Sequence, residues 1–459
     1  MENQIDMNNM PLSLKDGPLL KRKVHPLNFL VFGLLFVILL GSLLLWLPFT
    51  HNDSKEINYI DALFTSTSAT TVTGLVSVDT LDTYNFFGQL IILILINCGG
   101  LGYMTVISFF FLNSSAFGLK YAMFVKESLN LPSIGDILKL AKKVFFTIIV
   151  FEAIGIGILT LFVFDNFEVM KSLWYGIFHA MSAFNNAGFD LMGGFNSLTG
   201  YTGNVIFNFT IMALIFFGGI GFLVISDIIN VRKKRKRFLT LHSELVLTTS
   251  IILIFLGAVG FYALEHSNLL KQYDEGTKWM ASSFISVSSR TAGFTTVDLA
   301  SLSISALLVL CLLMFIGASP GSTGAGIKTT TFAVLILWLV ATIKNKKEPE
   351  VFDRRISRDT VEKALLLFFT SVLVIAIIIF GMTLFDDKPL SKMTFEAFSA
   401  FGTVGLTTGI TPDLSFGSKF LLCLLMFIGR LTTVTFLTVI AYGKRKDNIH
   451  LLEENVAIG

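Results

Sequence analysis

Four glycines, Gly74, Gly188, Gly293 and Gly405, each close a short stretch rich in serine, threonine and small residues, and they recur 114, 105 and 112 residues apart. The stretches read ALFTSTSATTVTGL, GIFHAMSAFNNAGF, SSFISVSSRTAGF and FEAFSAFGTVGL. A large apolar residue follows each glycine, and six residues before it stand Ser68, Ser182, Val287 and Ser399. The chemistry open to such segments is cation coordination, because rings of backbone carbonyls can replace the water shell of an alkali ion. Aiming successive carbonyls at one axis needs backbone angles that a β-carbon disfavours and glycine permits. The candidate ligands are the carbonyls of Val72, Thr73 and Gly74, of Asn186, Ala187 and Gly188, of Thr291, Ala292 and Gly293, and of Thr403, Val404 and Gly405. A single TVGL or TAGF would read as a glycine turn. Four copies in register read as one ring.

The flanks of these segments repeat as well. Apolar runs precede them at about 27–49, 140–164, 244–265 and 361–385, and follow them at about 88–112, 203–227, 303–342 and 417–442. A bilayer crossing takes roughly 20 residues, which these runs supply. CLLMFIG occurs twice verbatim, at Cys311–Gly317 and Cys423–Gly429, where the first two copies have LINCGGLG and IFFGGIG. The central segments are too short and too polar to be spans, and irregular backbone at membrane depth survives only when buried in protein or lining water. The pattern predicts an all-α membrane protein of four tandem membrane–pore–membrane repeats. Eight transmembrane helices and four re-entrant pore helices would surround one pseudo-fourfold pore. The pore helices would aim their negative C-terminal ends at the ion. The expected divisions are a tail at 1–24, repeats at 25–112, 113–230, 231–343 and 344–443, and a second tail at 444–459.

Composition agrees. Of 459 residues, 53% are hydrophobic and 15% charged, against about 25% charged in soluble proteins. The first run, Leu27 to Phe49, has no ionisable residue and no small-residue cleavage site after it, so it reads as a retained span. Basic clusters at Lys21–Lys23, Arg232–Arg237, Lys344–Arg358 and Lys444–Lys446 alternate with acidic connections such as Asp79 and Asp82 or Asp386 and Asp387. The positive-inside rule then puts both termini in the cytoplasm, with an even number of crossings. The same rule accounts for VRKKRKRF without nucleic acid. Cys98, Cys311 and Cys423 sit in apolar runs as small hydrophobes, and the six histidines lack ligand spacing. No nucleophile–base pair or metal cluster points to an enzyme. Asp79, Asp190 and Asp298, near the outer face, either concentrate cations or are ordinary loop charges.

Two irregularities stand inside the apolar runs. Residues 317–326, with four glycines and Pro320, break the downstream run of the third repeat. GSTGAGIKT there resembles a phosphate loop, but Ile327 separates Gly326 from Lys328 and spans flank it, so nucleotide binding is rejected. Arg430 lies mid-span in the fourth repeat, where a charge is costly and usually functional, or else bonded to loop carbonyls. Arg290 is expected to brace its pore helix against an acid such as Glu396, while Glu152 is a membrane acid whose partner the sequence does not name.

TVTGL, NNAGF, RTAGF and GTVGLT resemble the four filter segments of the Trk/Ktr/HKT superfamily of potassium transporters, and the resemblance runs over nearly the whole chain, from residue 25 to 459. With only about 25 polar residues before the first repeat, the chain is most like the Ktr-type membrane subunit. The resemblance implies potassium uptake across the plasma membrane, with potassium as substrate and no cofactor bound by this chain. Glycine at all four filter positions is the pattern associated there with potassium selectivity. The break would be an intramembrane gating loop at 317–328, with Gly317, Ser319, Gly321, Gly324, Gly326, Lys328 and Arg430 as gating residues. It further implies a homodimer on a cytoplasmic ring of nucleotide-binding regulatory subunits, docked on 231–237 and 343–363 unless those segments meet anionic lipid. The rival readings are an alternating-access secondary transporter, whose mark would be two broken helices in inverted repeats, and the channel-like subunit of a potassium pump.

Overall fold

The computed structural model describes residues 26–52, 55–100, 134–163, 167–232, 238–346 and 348–431. The basic flanks at Lys21–Lys23 and Lys444–Lys446, residues 233–237 of the basic run and the end of the first downstream apolar run lie outside the described residues.

Helices dominate, and their order is the same four times over. A long apolar helix is followed by a short one, an irregular segment carrying the glycine, and a second apolar helix. The sets are Pro26–Trp46, Tyr59–Thr71 and Phe86–Gly100; Ile134–Phe162, Val169–Phe184 and Val205–Gly219; Leu241–Glu265, Glu275–Ser288 and Ile304–Phe315; and Arg358–Phe385, Leu390–Gly402 and Phe416–Leu431. Leu241–Glu265, with 25 residues, is about 37 Å long at 1.5 Å per residue, enough for a hydrocarbon layer of about 30 Å. It exposes Ile251, Phe255 and Leu256, which suits a lipid-facing surface. Tyr59–Thr71, with 13 residues, buries eleven of them, threonines and serines included. Several of its hydroxyls bond to carbonyls: Thr71 donates to that of Thr67 at 2.7 Å, and Ser66 to that of Ile38 in the preceding long helix at 2.7 Å. Ser286 does the same to Ile254 in the third set, at 2.7 Å. Polar short helices are thus held inside a jacket of apolar ones.

Side-chain oxygens start several helices, since the first N–H groups have no intrahelical partner. Asn204, Thr240, Asp274 and Ser303 accept from Phe207, Ser243, Thr277 and Ala306. The repeated glycines of the downstream helices mark close approach. A β-carbon on Gly99, Gly218 or Gly429 would collide with the carbonyl oxygen of Thr70, Phe184 or Phe401. Each of those carbonyls lies four residues before one of the recurring glycines Gly74, Gly188 and Gly405. Small residues let these helices seat directly on the ends of the short ones.

Two departures from sequence expectation appear. The second downstream run, expected as one element, is broken at Ile220–Gly221, and Phe222–Arg232 turns by 94° from Val205–Gly219. Gly221 takes φ +95°, and the Phe222 N–H donates to Gly321 across the fold at 2.9 Å. Within the 343–363 loop, Glu350–Val351 and Arg354–Arg355 form an antiparallel hairpin.

Candidate ion-coordination site

The short helices deliver four segments of one backbone shape. Two residues before each glycine the chain enters the left-handed region, with φ +59° at Val72, +59° at Asn186, +75° at Thr291 and +48° at Thr403. The next residue leaves it, and the glycine re-enters at φ +92°, +71°, +82° and +95°. Four non-glycine residues holding this uncommon conformation in register mark a constrained site. The glycines also touch in a closed order. A β-carbon on Gly74 would stand 2.5 Å from the Ala187 carbonyl oxygen and 3.0 Å from Gly188 Cα. One on Gly188 would stand 2.6 Å from the Ala292 oxygen and 3.0 Å from Gly293 Cα. One on Gly293 would strike Val404 and Gly405, and one on Gly405 would strike Thr73 and Gly74. The predicted ligand residues are therefore brought together, each segment lying against the next.

Serine explains the position six residues upstream. Ser68 and Ser399 accept from the N–H of Gly74 and Gly405, both at 3.0 Å. Ser182 instead donates to the Phe189 carbonyl at 2.7 Å. Where the third repeat has Val287, the neighbouring Ser288 donates to Phe294 at 2.5 Å and fills the role. The hydroxyls tie each helix end to its own glycine segment.

Beside the glycines opens a cavity of about 540 Å³, lined by all four of them and by Asp79, Asp190 and Asp298. Each of these acids also accepts backbone N–H bonds: Asp79 from Asp82 and Phe195, Asp190 from Met192, and Asp298 from Ala300. They shape the loops around the cavity, and burial pushes the Asp190 carboxyl up to about 7.

Against the residues that precede the glycines lies the broken segment of the third repeat, with the helix resuming at Thr329–Ile343. Gly317 N–H donates to Ile327 at 2.8 Å, Ser319 to Gly219 at 3.0 Å and Thr323 to Gly218 at 3.2 Å. A β-carbon on Gly324 would strike the Thr291 side chain, which puts the loop directly against the glycine segment of the third repeat. Lys328 Nζ donates to the Gly324 carbonyl at 2.7 Å. The Arg430 guanidinium donates to the carbonyls of Thr323 in the loop and Gly99 in the first repeat.

The structure revises one side-chain reading, supplies one partner left open and adds one pair. Arg290 does not meet Glu396; it donates to the Ser250 carbonyl and hydroxyl at 3.3 and 3.2 Å. Glu152 has a partner, Asn185, whose amide donates to it at 3.1 Å and also to Asn97. Asp61 and Lys419, singled out by nothing in the sequence reading, form a buried ion pair at 2.9 Å joining the first repeat to the fourth. A lysine inside the apolar stretch SFGSKFLLC was the available signal. Among the described residues no three His, Cys, Asp or Glu side chains gather as a metal site.

The TrkH family, described as cation transport protein, matches residues 25–450. Ktr system potassium uptake protein B of Bacillus subtilis is 39% identical over 438 residues, covering 95% of this chain and 97% of that protein. Potassium/sodium uptake protein NtpJ of Enterococcus hirae is 37% identical over 447 residues, covering 96% and 98%. In fold, the potassium transporter TrkH from Vibrio parahaemolyticus superposes with a TM-score of 0.72 at 19% identity, covering 92% of this chain and 86% of that one.

Proposed function

The chain belongs to the TrkH family of cation transport proteins, and we propose that it takes potassium into the cell through one pore whose filter is the ring of four glycine segments. The carrying observation is that ring: four segments of one left-handed pattern, each glycine packed on the next in closed order. Alternating left-handed residues turn successive carbonyls to one side, which is what replacing a hydration shell requires. The acidic mouth raises the local cation concentration. Glycine at all four positions and relatives named for potassium uptake favour potassium.

Beneath the filter, residues 317–328 act as a gate, latched closed by Arg430 on Thr323 and braced within by Lys328 on Gly324. Charge-assisted bonds of this kind are strong yet reversible, as a two-state element needs. Both termini face the cytoplasm and the subunit works as a homodimer. Relatives named for a Ktr system support a regulatory partner in trans. That partner is a cytoplasmic nucleotide-binding ring, meeting the basic face near Arg232 and the hairpin of Arg354 and Arg355.

A second reading, uptake of sodium as well, is favoured by the relative named for both ions. Flux of potassium, rubidium, sodium and lithium into proteoliposomes of the purified chain separates the two. Potassium and rubidium well ahead of sodium and lithium support the first reading. Equal potassium and sodium entry moves the conclusion to the second, and no flux of any cation overturns both.

A further inference from the structure

Just outside the glycines the four repeats stop being alike. Nine residues before each glycine stand Thr65, His179, Phe284 and Glu396, and three residues after it stand Ser77, Leu191, Thr296 and Thr408. In the second and fourth repeats a hydrogen bond joins these two positions. Leu191 N–H donates to His179 Nε2 at 3.2 Å, and Thr408 N–H donates to Glu396 Oε1 at 2.9 Å. His179 Nδ1 lies 2.8 Å from the Tyr175 carbonyl, which can only accept, so Nδ1 carries the proton and Nε2 is the acceptor. Glu396 holds much more. Its Oε1 also accepts from the Thr407 and Thr408 hydroxyls at 2.8 and 3.1 Å, and its Oε2 from Thr411 at 2.8 Å, all within a fully buried side chain. Among the described residues no hydrogen bond joins Thr65 to Ser77, and Phe284 has no polar atom to offer.

Because the glycines contact in the order one, two, three, four, the second and fourth repeats face each other across the axis. Between these two positions the described residues thus carry a strut on one diagonal, a neutral imidazole on one side and a carboxylate with four donors on the other. Leu406, Thr407 and Gly409, the lip that Glu396 props, line the outer cavity. We propose that Glu396 is a positioning residue for cation discrimination, fixing the outer lip of the fourth filter segment through Thr407, Thr408 and Thr411. The proposal rests on the filter reading above. A lip held at fixed spacing cannot close around a smaller ion, so the strut works against sodium. Removing it leaves the Thr408 N–H buried without an acceptor and frees the lip to move.

The test is the rubidium-to-sodium permeability ratio in proteoliposomes of full-length protein, for Glu396→Ala, Glu396→Gln and Glu396→Asp, with Gly405→Ser as reference. Glu396→Ala is expected to lower the ratio roughly tenfold, the size set by one buried unsatisfied donor. Glu396→Gln keeps an oxygen for Thr408 N–H and shifts the ratio less than about threefold. If Ala does not give a folded peak on size exclusion, Asp carries the test, since retracting the carboxylate by one methylene breaks the same contacts. A ratio lost in Ala or Asp and kept in Gln supports positioning. A ratio lost equally in Gln overturns it, because charge rather than placement then governs. A wild-type ratio in the folded Ala or Asp variant, with the Gly405→Ser ratio changed, refutes the proposal and leaves the filter reading standing. If Gly405→Ser is unchanged too, the filter reading itself fails.

Discussion

Replacing Gly188 with serine perturbs the ring at a point where the structure leaves nowhere for a side chain to go. Its φ of +71° costs an L-residue about 1–2 kcal/mol. The added β-carbon would lie 2.6 Å from the Ala292 oxygen, 3.0 Å from Gly293 Cα and 3.3 Å from Gly74 Cα, all backbone of neighbouring segments. Backbone cannot swing aside as a side chain can, and overpacking of this kind costs about 1–3 kcal/mol. Some 2–5 kcal/mol must therefore be relieved by moving the segments apart, and the Ala292 carbonyl, a proposed ligand, moves first. If only about 1.4 kcal/mol of that falls on the potassium-bound ring and not the sodium-bound one, discrimination drops tenfold. The assay is rubidium uptake into proteoliposomes with sodium as competitor, beside size exclusion to confirm folding. Gly157→Ser is the control, since nothing lies within 4 Å of a β-carbon there, and its ratio should not move. A folded Gly188→Ser protein with the wild-type ratio would refute the argument that these glycines form one filter.

Lys419→Met should lower thermal stability in detergent by about 3–5 kcal/mol, because Asp61 is left buried and unpaired. Adding Asp61→Leu should recover most of the loss, and a single variant as stable as wild type would show the pair to be idle. Deleting part of Ser319–Ala325 should raise rubidium flux strongly with selectivity largely kept, and Arg430→Ala should act in the same direction by releasing the Thr323 carbonyl. Folded deletion protein that conducts no better than wild type, without any regulatory partner, removes the loop as the gate. Cysteines at exposed Lys346 and Asp82 should react with impermeant thiol reagent from opposite faces, Lys346 from the cytoplasmic one. Labelling from the same face would overturn the orientation.

Local rules made the long apolar helices and the four recurring glycines legible. Long apolar runs must bury their backbone in helices whatever surrounds them, so Leu241–Glu265 and Arg358–Phe385 fall where hydropathy puts them. A left-handed residue needs glycine or a strong constraint, so Gly74, Gly188, Gly293 and Gly405 announced themselves by recurrence. The break at 317–326 was legible for the same reason. FGGIG in the second repeat carried a related signal, yet glycine in a membrane helix also serves close packing. Only the fold shows that Gly221 turns the chain by 94° while Gly218 packs on Phe184.

What the sequence could not supply is which repeat touches which. Arg430 reaches carbonyls 107 and 331 residues away, and Lys419 finds Asp61 at a separation of 358. Arg290 and Glu396 looked like natural partners by charge, yet one turned to Ser250 and the other to three threonines of its own repeat. Periodicity along a chain reports how a helix meets its surroundings, apolar or polar. It carries no record of the azimuth at which one unit packs on another, and that azimuth is fixed only when the helices meet in the fold and their buried polar groups compete for partners there.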